Sequence, residues 1–195
     1  MRLAATLLVQ LVFALIFAAA NAADIKVDKV ANSELFTVRV TGMFQKGDGE
    51  KFEKAVAPLP DLFVVVLLNG NGGDLDSALA IGTEIRRRGF STAVQAGVIC
   101  ASACAFAWLA GDTRYMEPSS KIGFHAAYIE AGRLPLEKGQ PNALVGAYLY
   151  QLGISADAIK YFTRASPTDI QWLSLRDSMI LGINVTIPSE IASAP

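Results

Sequence analysis

Two side chains of this 195-residue sequence have the chemistry of a nucleophile and a base. Ser102 lies among small residues in the segment from Gly97 to Ala105, and His125 is the only histidine of the chain. A serine hydroxyl becomes a nucleophile when an imidazole can take its proton. Both residues also have a simpler explanation, because serine is a common helix N-cap and a single histidine in an apolar strand is often structural.

A glycine-rich turn, residues 69–73, supplies the third chemical feature and ends just before Asp74. Glycines let the backbone approach a ligand closely, so the N–H groups of Gly72 and Gly73 are candidates to bind a developing oxyanion. The turn lacks the full pattern of a phosphate-binding loop. One histidine and two closely spaced cysteines make a poor ligand set, so the sequence predicts neither a metal nor another cofactor.

The surrounding pattern predicts the elements that position these residues. Residues 62–68 are apolar at every position, which is typical of a strand covered on both faces in a parallel sheet. A helix from Leu75 to Arg88, a strand over 92–98, a helix over 101–110 and a strand over 122–128 follow. We further expect a loop over 130–141, helices over 142–151 and 156–164, and a last helix capped at Ser174. This alternation predicts an α/β fold with a parallel sheet flanked by helices.

In their order, the three chemical segments resemble the proteolytic subunit of Clp protease, and the chain is similar to small exported members of the ClpP/crotonase superfamily. Residues 69–74 resemble its Asn-Ser-Pro-Gly-Gly element, and residues 97–105 resemble its nucleophile segment. Residues 121–125 are similar to the strand that carries its catalytic histidine. The resemblance implies repeated β-β-α units and a single domain over residues 23–195.

The resemblance also implies the roles of a serine peptidase. Ser102 would attack a carbonyl after His125 takes its proton, and the N–H groups of Gly72 or Gly73 and of Ala103 would bind the oxyanion. Asp169 would orient His125, although residues 166–169 also have the pattern of a helix capping box. The expected substrate is a peptide or protein segment.

Several departures from the family pattern leave an alternative open. Asn71 stands where the family has proline, Ala126 and Ala127 follow the histidine where it has Gln-Pro, and the stretch between His125 and Asp169 is short. The alternative is a non-catalytic binding or assembly module that keeps the fold. An acyl-CoA enzyme of the crotonase type is disfavoured by the signs of export, and Lys121 is a weak candidate for a lysine base.

The first residues have the pattern of a secretory signal peptide. Arg2 precedes an apolar run from Leu7 to Ala20, and a small-x-small site follows, so we expect cleavage after Ala22 or one residue later. An uncleaved anchor is the alternative. Residues 1–22 are thus predicted as a signal peptide of a periplasmic or secreted protein, with no membrane association after cleavage. In that compartment Cys100 and Cys104 are expected to form a disulfide, or else to pack as reduced thiols.

Charge and surface composition limit the partners. Without residues 1–22 the chain has 16 basic and 18 acidic residues, a net charge of −2. This balance lacks the excess of positive charge that binding to nucleic acid or to an anionic membrane requires. We expect a homo-oligomer, as the resemblance implies. Four late aromatics either form its contact surface or pack inward on their own sheet: Tyr148, Tyr150, Tyr161 and Phe162.

Overall fold

The apolar run at residues 62–68 forms a central strand, as its pattern predicts. It becomes β3, Val64–Asn69, in the computed structural model, which describes residues 22–131 and 134–188. Along β3 fully buried side chains alternate with half-buried ones up to the exposed Asn69, so both faces of the strand are covered. The predicted signal peptide, residues 1–22, lies outside the described residues except for Ala22.

A five-stranded sheet is built around this strand. Its spatial order is β1 (Asp24–Lys29), β2 (Phe36–Thr41), β3, β4 (Ser91–Val94) and β6 (Arg114–Met116). All neighbours are parallel except β1 and β2, which are antiparallel. The predicted parallel sheet is therefore confirmed, with one antiparallel strand added at its edge.

A second, three-stranded sheet joins the first at the glycine-rich turn. Its order is β10 (Gln171–Trp172), β7 (Lys121–Phe124) and β5 (Ile99–Ala101). The N–H of Gly70 donates to Ile99 O at 2.9 Å, and the carbonyl of Gly70 accepts from Ala101 N at 3.0 Å. A Cβ at Gly70 would lie 2.1 Å from the carbonyl oxygen of Gly42, so only glycine fits this junction. The carboxyl end of β3 is thereby fixed beside β5.

Six helices cover the two sheets within the described part of the chain. They are α1 (Asp48–Val56), α2 (Leu75–Arg87), α3 (Ala103–Leu109), α4 (Gly139–Gln151), α5 (Ala156–Thr163) and α6 (Leu175–Ile180). Asp74 caps α2 by accepting from Ser77 N at 2.9 Å, and Ser174 caps α6 in the predicted way. Every residue of α3 is buried, so this helix belongs to the core shared by both sheets.

Three expectations about the later elements are wrong. The strand predicted over 122–128 ends at Phe124, the last residue of β7. Residues 130–141 are not all loop, because a two-stranded hairpin of β8 (Tyr128–Ala131) and β9 (Leu134–Glu137) occupies their first half and α4 begins at Gly139. Each hairpin strand has only four residues and pairs only with the other, so no long alternation marks it. The strand predicted over 92–98 ends at Val94, because a turn at Ala96 and Gly97 interrupts it.

Three of the four aromatics considered for a contact surface pack inward. Tyr148, Tyr161 and Phe162 are 6%, 9% and 0% exposed, whereas Tyr150 is 77% exposed. The hydroxyl of Tyr148 donates to Phe106 O at 3.1 Å and lies where a Cβ at Gly82 would be. These side chains thus join α4 and α5 to the core, and only Tyr150 remains available to a partner.

Candidate active site

Ser102 occupies a strained turn between β5 and α3. Its backbone has φ 57° and ψ −128°, a region that residues with a side chain rarely adopt. The turn is anchored because Ser102 N donates to Gly123 O at 2.8 Å and Ser102 O accepts from Ala105 N at 2.9 Å. The hydroxyl makes no capping hydrogen bond to α3, so the N-cap explanation does not hold. A strained strand-to-helix turn that exposes a serine is the geometry of a nucleophile.

A disulfide brackets this turn, as predicted. Cys100 in β5 is bonded to Cys104 in α3, with the two Cα atoms 5.2 Å apart, and both side chains are buried. The bond closes a short loop with Ser102 at its centre. It therefore links the end of the strand to the first turn of the helix and limits how far the serine can move.

The glycine-rich turn lies directly against the serine. Gly72 has φ 103°, and a Cβ on it would be 2.6 Å from Ser102 Cβ. Gly73 has φ 119°, and its Cβ would be 2.2 Å from the carbonyl oxygen of Phe44. Both positions exclude a side chain, Gly72 because it lies against Ser102 and Gly73 because it lies against the backbone of Phe44.

Three N–H groups beside Ser102 are free to bind an oxyanion. The hydrogen bonds from Phe44 N to Gly72 O at 2.7 Å and from Asp74 N to Phe44 O at 2.9 Å hold the glycine turn in place. Within the described chain, the N–H groups of Gly72, Gly73 and Ala103 donate no hydrogen bond. Preorganised donors of this kind stabilise negative charge that develops on a substrate oxygen.

His125 follows β7 by one residue and is 8% exposed. Its Nδ1 lies 2.8 Å from the carbonyl oxygen of Ala126, which can only accept, so Nδ1 carries a proton and the neutral ring keeps a lone pair on Nε2. The ring packs 5.6 Å from the ring of Tyr128. In the described residues Ser102 and His125 share no hydrogen bond, although both line one cavity. A backbone carbonyl, rather than a carboxylate, orients this imidazole.

The shared cavity has a volume of about 530 Å³ and is open to solvent. It brings together four of the predicted site residues, namely Gly73, Ser102, Ala103 and His125. Gly72 contacts Ser102 but is not among the residues that line the cavity. Lys46 and Tyr128 also line it. Sequence reasoning missed both, because Lys46 lies in a loop without a motif and Tyr128 begins the unpredicted hairpin.

No hydrogen bond joins Asp169 to His125 in the described residues, although the pairing of β10 with β7 brings their two segments side by side. Asp169 is exposed in a turn after α5, and its Oδ1 accepts from the N–H of Ile170 at 2.8 Å. The segment 166–169 forms a turn and no helix starts there, so the alternative capping box does not form either. Lys121 is exposed and lies over the ring of Trp172, 5.8 Å from its centroid, rather than beside Ser102.

Within residues 22–131 and 134–188, no group of three or more His, Cys, Asp and Glu side chains is placed to hold a metal ion. Over those same ranges no helix combines the length and the apolar character that crossing a bilayer requires.

Comparison with known proteins identifies the fold. No protein-family model and no curated protein matches the chain. Among solved structures, a serine-to-alanine mutant of the 1510-N membrane-bound stomatin-specific protease is 16% identical, with a TM-score of 0.58 over 76% of this chain and 77% of that one. A second structure of that protease, in complex with a substrate peptide, has a TM-score of 0.59 at 17% identity, over 76% of this chain and 73% of that one. ClpP1 from Listeria monocytogenes is 18% identical, with a TM-score of 0.56 over 77% of this chain and 91% of that one. The chain therefore has a ClpP-like fold.

Proposed function

We propose that this protein is an exported serine hydrolase that cleaves peptide bonds in peptides or unfolded segments, with Ser102 as nucleophile and His125 as base. The observation that carries the proposal is the backbone of Ser102, held at a positive φ without a capping role and facing the cavity that His125 lines. Ser119 also has a positive φ, but of these two serines only Ser102 lines the cavity. Strain of this kind persists where the surrounding structure imposes it, and it clusters at functional sites.

The proposed reaction uses the groups that already surround the cavity. Nε2 of His125 takes the proton of Ser102 as Oγ attacks the substrate carbonyl, and the negative charge on the carbonyl oxygen is held by the N–H groups of Ala103 and of Gly72 or Gly73. The imidazolium then gives its proton to the leaving amine, and the acyl group remains on Oγ. Water, deprotonated by His125, hydrolyses the acyl-enzyme and restores both residues.

This reaction requires Ser102 and His125 to approach one another. The side chain of Ser102 is half-buried and rotates about a single bond, and catalytic hydrogen bonds that are open in a free enzyme tighten when substrate binds. In this scheme the Ala126 carbonyl orients His125. Asp169 takes part as a third group only if its carboxylate reaches the imidazole of His125, with which it shares no hydrogen bond in the structure.

A peptide substrate and an exported location have separate support. A structural neighbour has been solved with a substrate peptide, and the cavity volume of about 530 Å³ suits a few residues of extended chain. The signal-peptide pattern supports export to the periplasm or outside the cell, and the disulfide fits such an oxidising compartment. We include self-association in the proposal, and the exposed apolar side chains available to it include Tyr150 on α4 and Met179 and Ile180 on α6.

The alternative function is a non-catalytic module that binds peptides in the same cavity. The missing hydrogen bond between Ser102 and His125 favours it. A binding module would keep the glycine turn and the cavity but would not need an activated hydroxyl.

A fluorophosphonate probe separates the two functions. We expect intact mass to show a single adduct on the purified mature protein, lost in Ser102→Ala and His125→Ala. Ser119→Ala is the matched control, because Ser119 also has a positive φ of 64° but accepts a hydrogen bond from Gly97 N. That variant should label like the wild type. If the folded wild-type protein forms no adduct at any pH tested, the hydrolase is refuted and the protein is the binding module.

A further inference from the structure

Ala23, the residue after the first described one, is buried against a carboxylate. Ala23 is 0% exposed, and its N–H donates to Oδ2 of Asp48 at 2.9 Å, whereas Ala22 is exposed. Asp48 opens α1 and is only 2% exposed. The burial changes abruptly at the peptide bond between Ala22 and Ala23, which is the predicted cleavage site.

Asp48 lacks a cation. Its Oδ2 accepts a second hydrogen bond from Gln45 N at 2.8 Å, and both donors are neutral amides. None of the ion pairs within residues 22–131 and 134–188 includes Asp48. Lys51, on the same helix, donates to the carbonyl of Ala23 at 2.6 Å instead. Carboxylates this deeply buried are almost always paired with a positive charge.

Removal of residues 1–22 would supply that charge. Hydrolysis of the Ala22–Ala23 bond by a signal peptidase adds one water, leaving a carboxylate on Ala22 and an amine on Ala23 that takes up a proton. The new ammonium stands where the Ala23 amide stands in the structure, 2.9 Å from Oδ2 of Asp48. We propose that Asp48 is the binding site for this α-ammonium, so that cleavage after Ala22 creates a buried ion pair that locks the processed N-terminus onto α1.

The ion pair would also brace one wall of the cavity. Asp48 holds Gln45, and the carbonyl of Gln45 accepts from Ser77 Oγ at 2.8 Å at the start of α2. Gln45 and its neighbours Phe44 and Lys46 line the cavity. The ion pair depends on removal of residues 1–22 and does not depend on the chemistry of Ser102.

Two measurements on chains with defined first residues test this site. The first is the N-terminus of the exported protein, which we expect to be Ala23. The second compares oxidised chains that begin at Ala22 and at Ala23, since the former keeps the amide contact to Asp48 without the charge. The chain that begins at Ala23 should have a Tm higher by roughly 5–10 °C, as breaking a buried ion pair implies. In the Asp48→Asn background the two chains should melt within about 1 °C of each other.

The control is Asp157→Asn, at a side chain 88% exposed, which should preserve the difference between the two chains. Reactivity of the α-amine gives an independent readout should Asp48→Asn fail to fold. We expect the amine of Ala23 to be acylated at least about tenfold more slowly than the amine of the chain that begins at Ala22, because only the former is buried and paired. An equal Tm difference with and without Asp48, equal amine reactivity, or an exported chain that begins elsewhere would each overturn the proposal.

Discussion

Replacing Gly72 by alanine should lower the reactivity of Ser102 far more than it lowers the stability of the fold. The added Cβ would lie 2.6 Å from Ser102 Cβ and 2.9 Å from Ser102 Oγ. To reach the 3.4 Å of an ordinary contact, the two residues must separate by about 0.8 Å. Misplacement of a catalytic group by about 1 Å can cost on the order of 100-fold in rate. We therefore expect the fluorophosphonate labelling rate to fall about 100-fold.

The matched control is Gly153→Ala. Gly153 also has a positive φ, 79°, but a Cβ there would meet nothing within 4 Å. Both variants bear the backbone strain of alanine at positive φ, about 1–2 kcal/mol, so both should lose a similar few degrees in Tm from that cause. Only Gly72→Ala bears the clash with Ser102. Labelling is measured by intact mass against time, beside thermal unfolding of each variant. Wild-type labelling in a folded Gly72→Ala variant would refute the packing of the glycine turn against the nucleophile.

Three further predictions concern the disulfide, Asp169 and Tyr148. The disulfide closes a loop of about five residues, so its reduction should cost about 2 kcal/mol of stability and lower Tm by roughly 4–8 °C. The Tm of a Cys100→Ala/Cys104→Ala double variant should not respond to reductant. An unchanged Tm of the reduced wild type would contradict the prediction. Asp169→Asn should label within about threefold of wild type because Asp169 makes no hydrogen bond to His125. A loss near 10⁴-fold, the size seen when a triad aspartate is replaced, would show that Asp169 does orient the imidazole during the reaction. Burial raises the pKa of the Tyr148 phenol above its ordinary value, so the folded protein keeps this proton at a pH where the unfolded chain loses it. Stability from the neutral phenol is thus complete below about pH 10 and declines by about 1.4 kcal/mol per pH unit above it. Chemical denaturation should show a weaker alkaline decline in Tyr148→Phe and a wild-type decline in Tyr150→Phe, whose side chain is exposed.

The layout of the fold was readable where local signals agreed. The continuous apolar run predicted β3 and its two covered faces, and the caps at Asp74 and Ser174 marked the starts of α2 and α6. The disulfide followed from the spacing of Cys100 and Cys104 together with the signs of export. These features depend on neighbours in the sequence, which a single sequence displays.

The rest of the fold depends on distant partners. Strand β5 has three residues and exists because Gly70 and β7 pair with it from the two sides. The hairpin that brings Tyr128 to the cavity consists of two strands of four residues. Strands of three or four residues are too short to show the alternation of apolar and polar residues by which a strand is predicted.

The candidate site was readable as a set of residues but not as a geometry. Local chemistry predicts four of the residues that line the cavity, namely Gly73, Ser102, Ala103 and His125. Nothing local showed that His125 would use the carbonyl of Ala126, or that the side chain of Asp169 would bond to the next amide. The contribution of Lys46 required the packing of its loop against the glycine turn.

The disulfide around Ser102 has a consequence for when the protein becomes competent. Cysteines stay reduced in the cytosol, so a newly made chain would carry a nucleophile turn without its covalent brace. Under the proposed export, the Cys100–Cys104 disulfide forms only after the chain has left the cytosol, and the Ser102 turn gains its covalent brace at that point. The cytosol would then contain the protein only in its less rigid, reduced form, and under the proposed function cytosolic proteins would not meet the oxidised hydrolase.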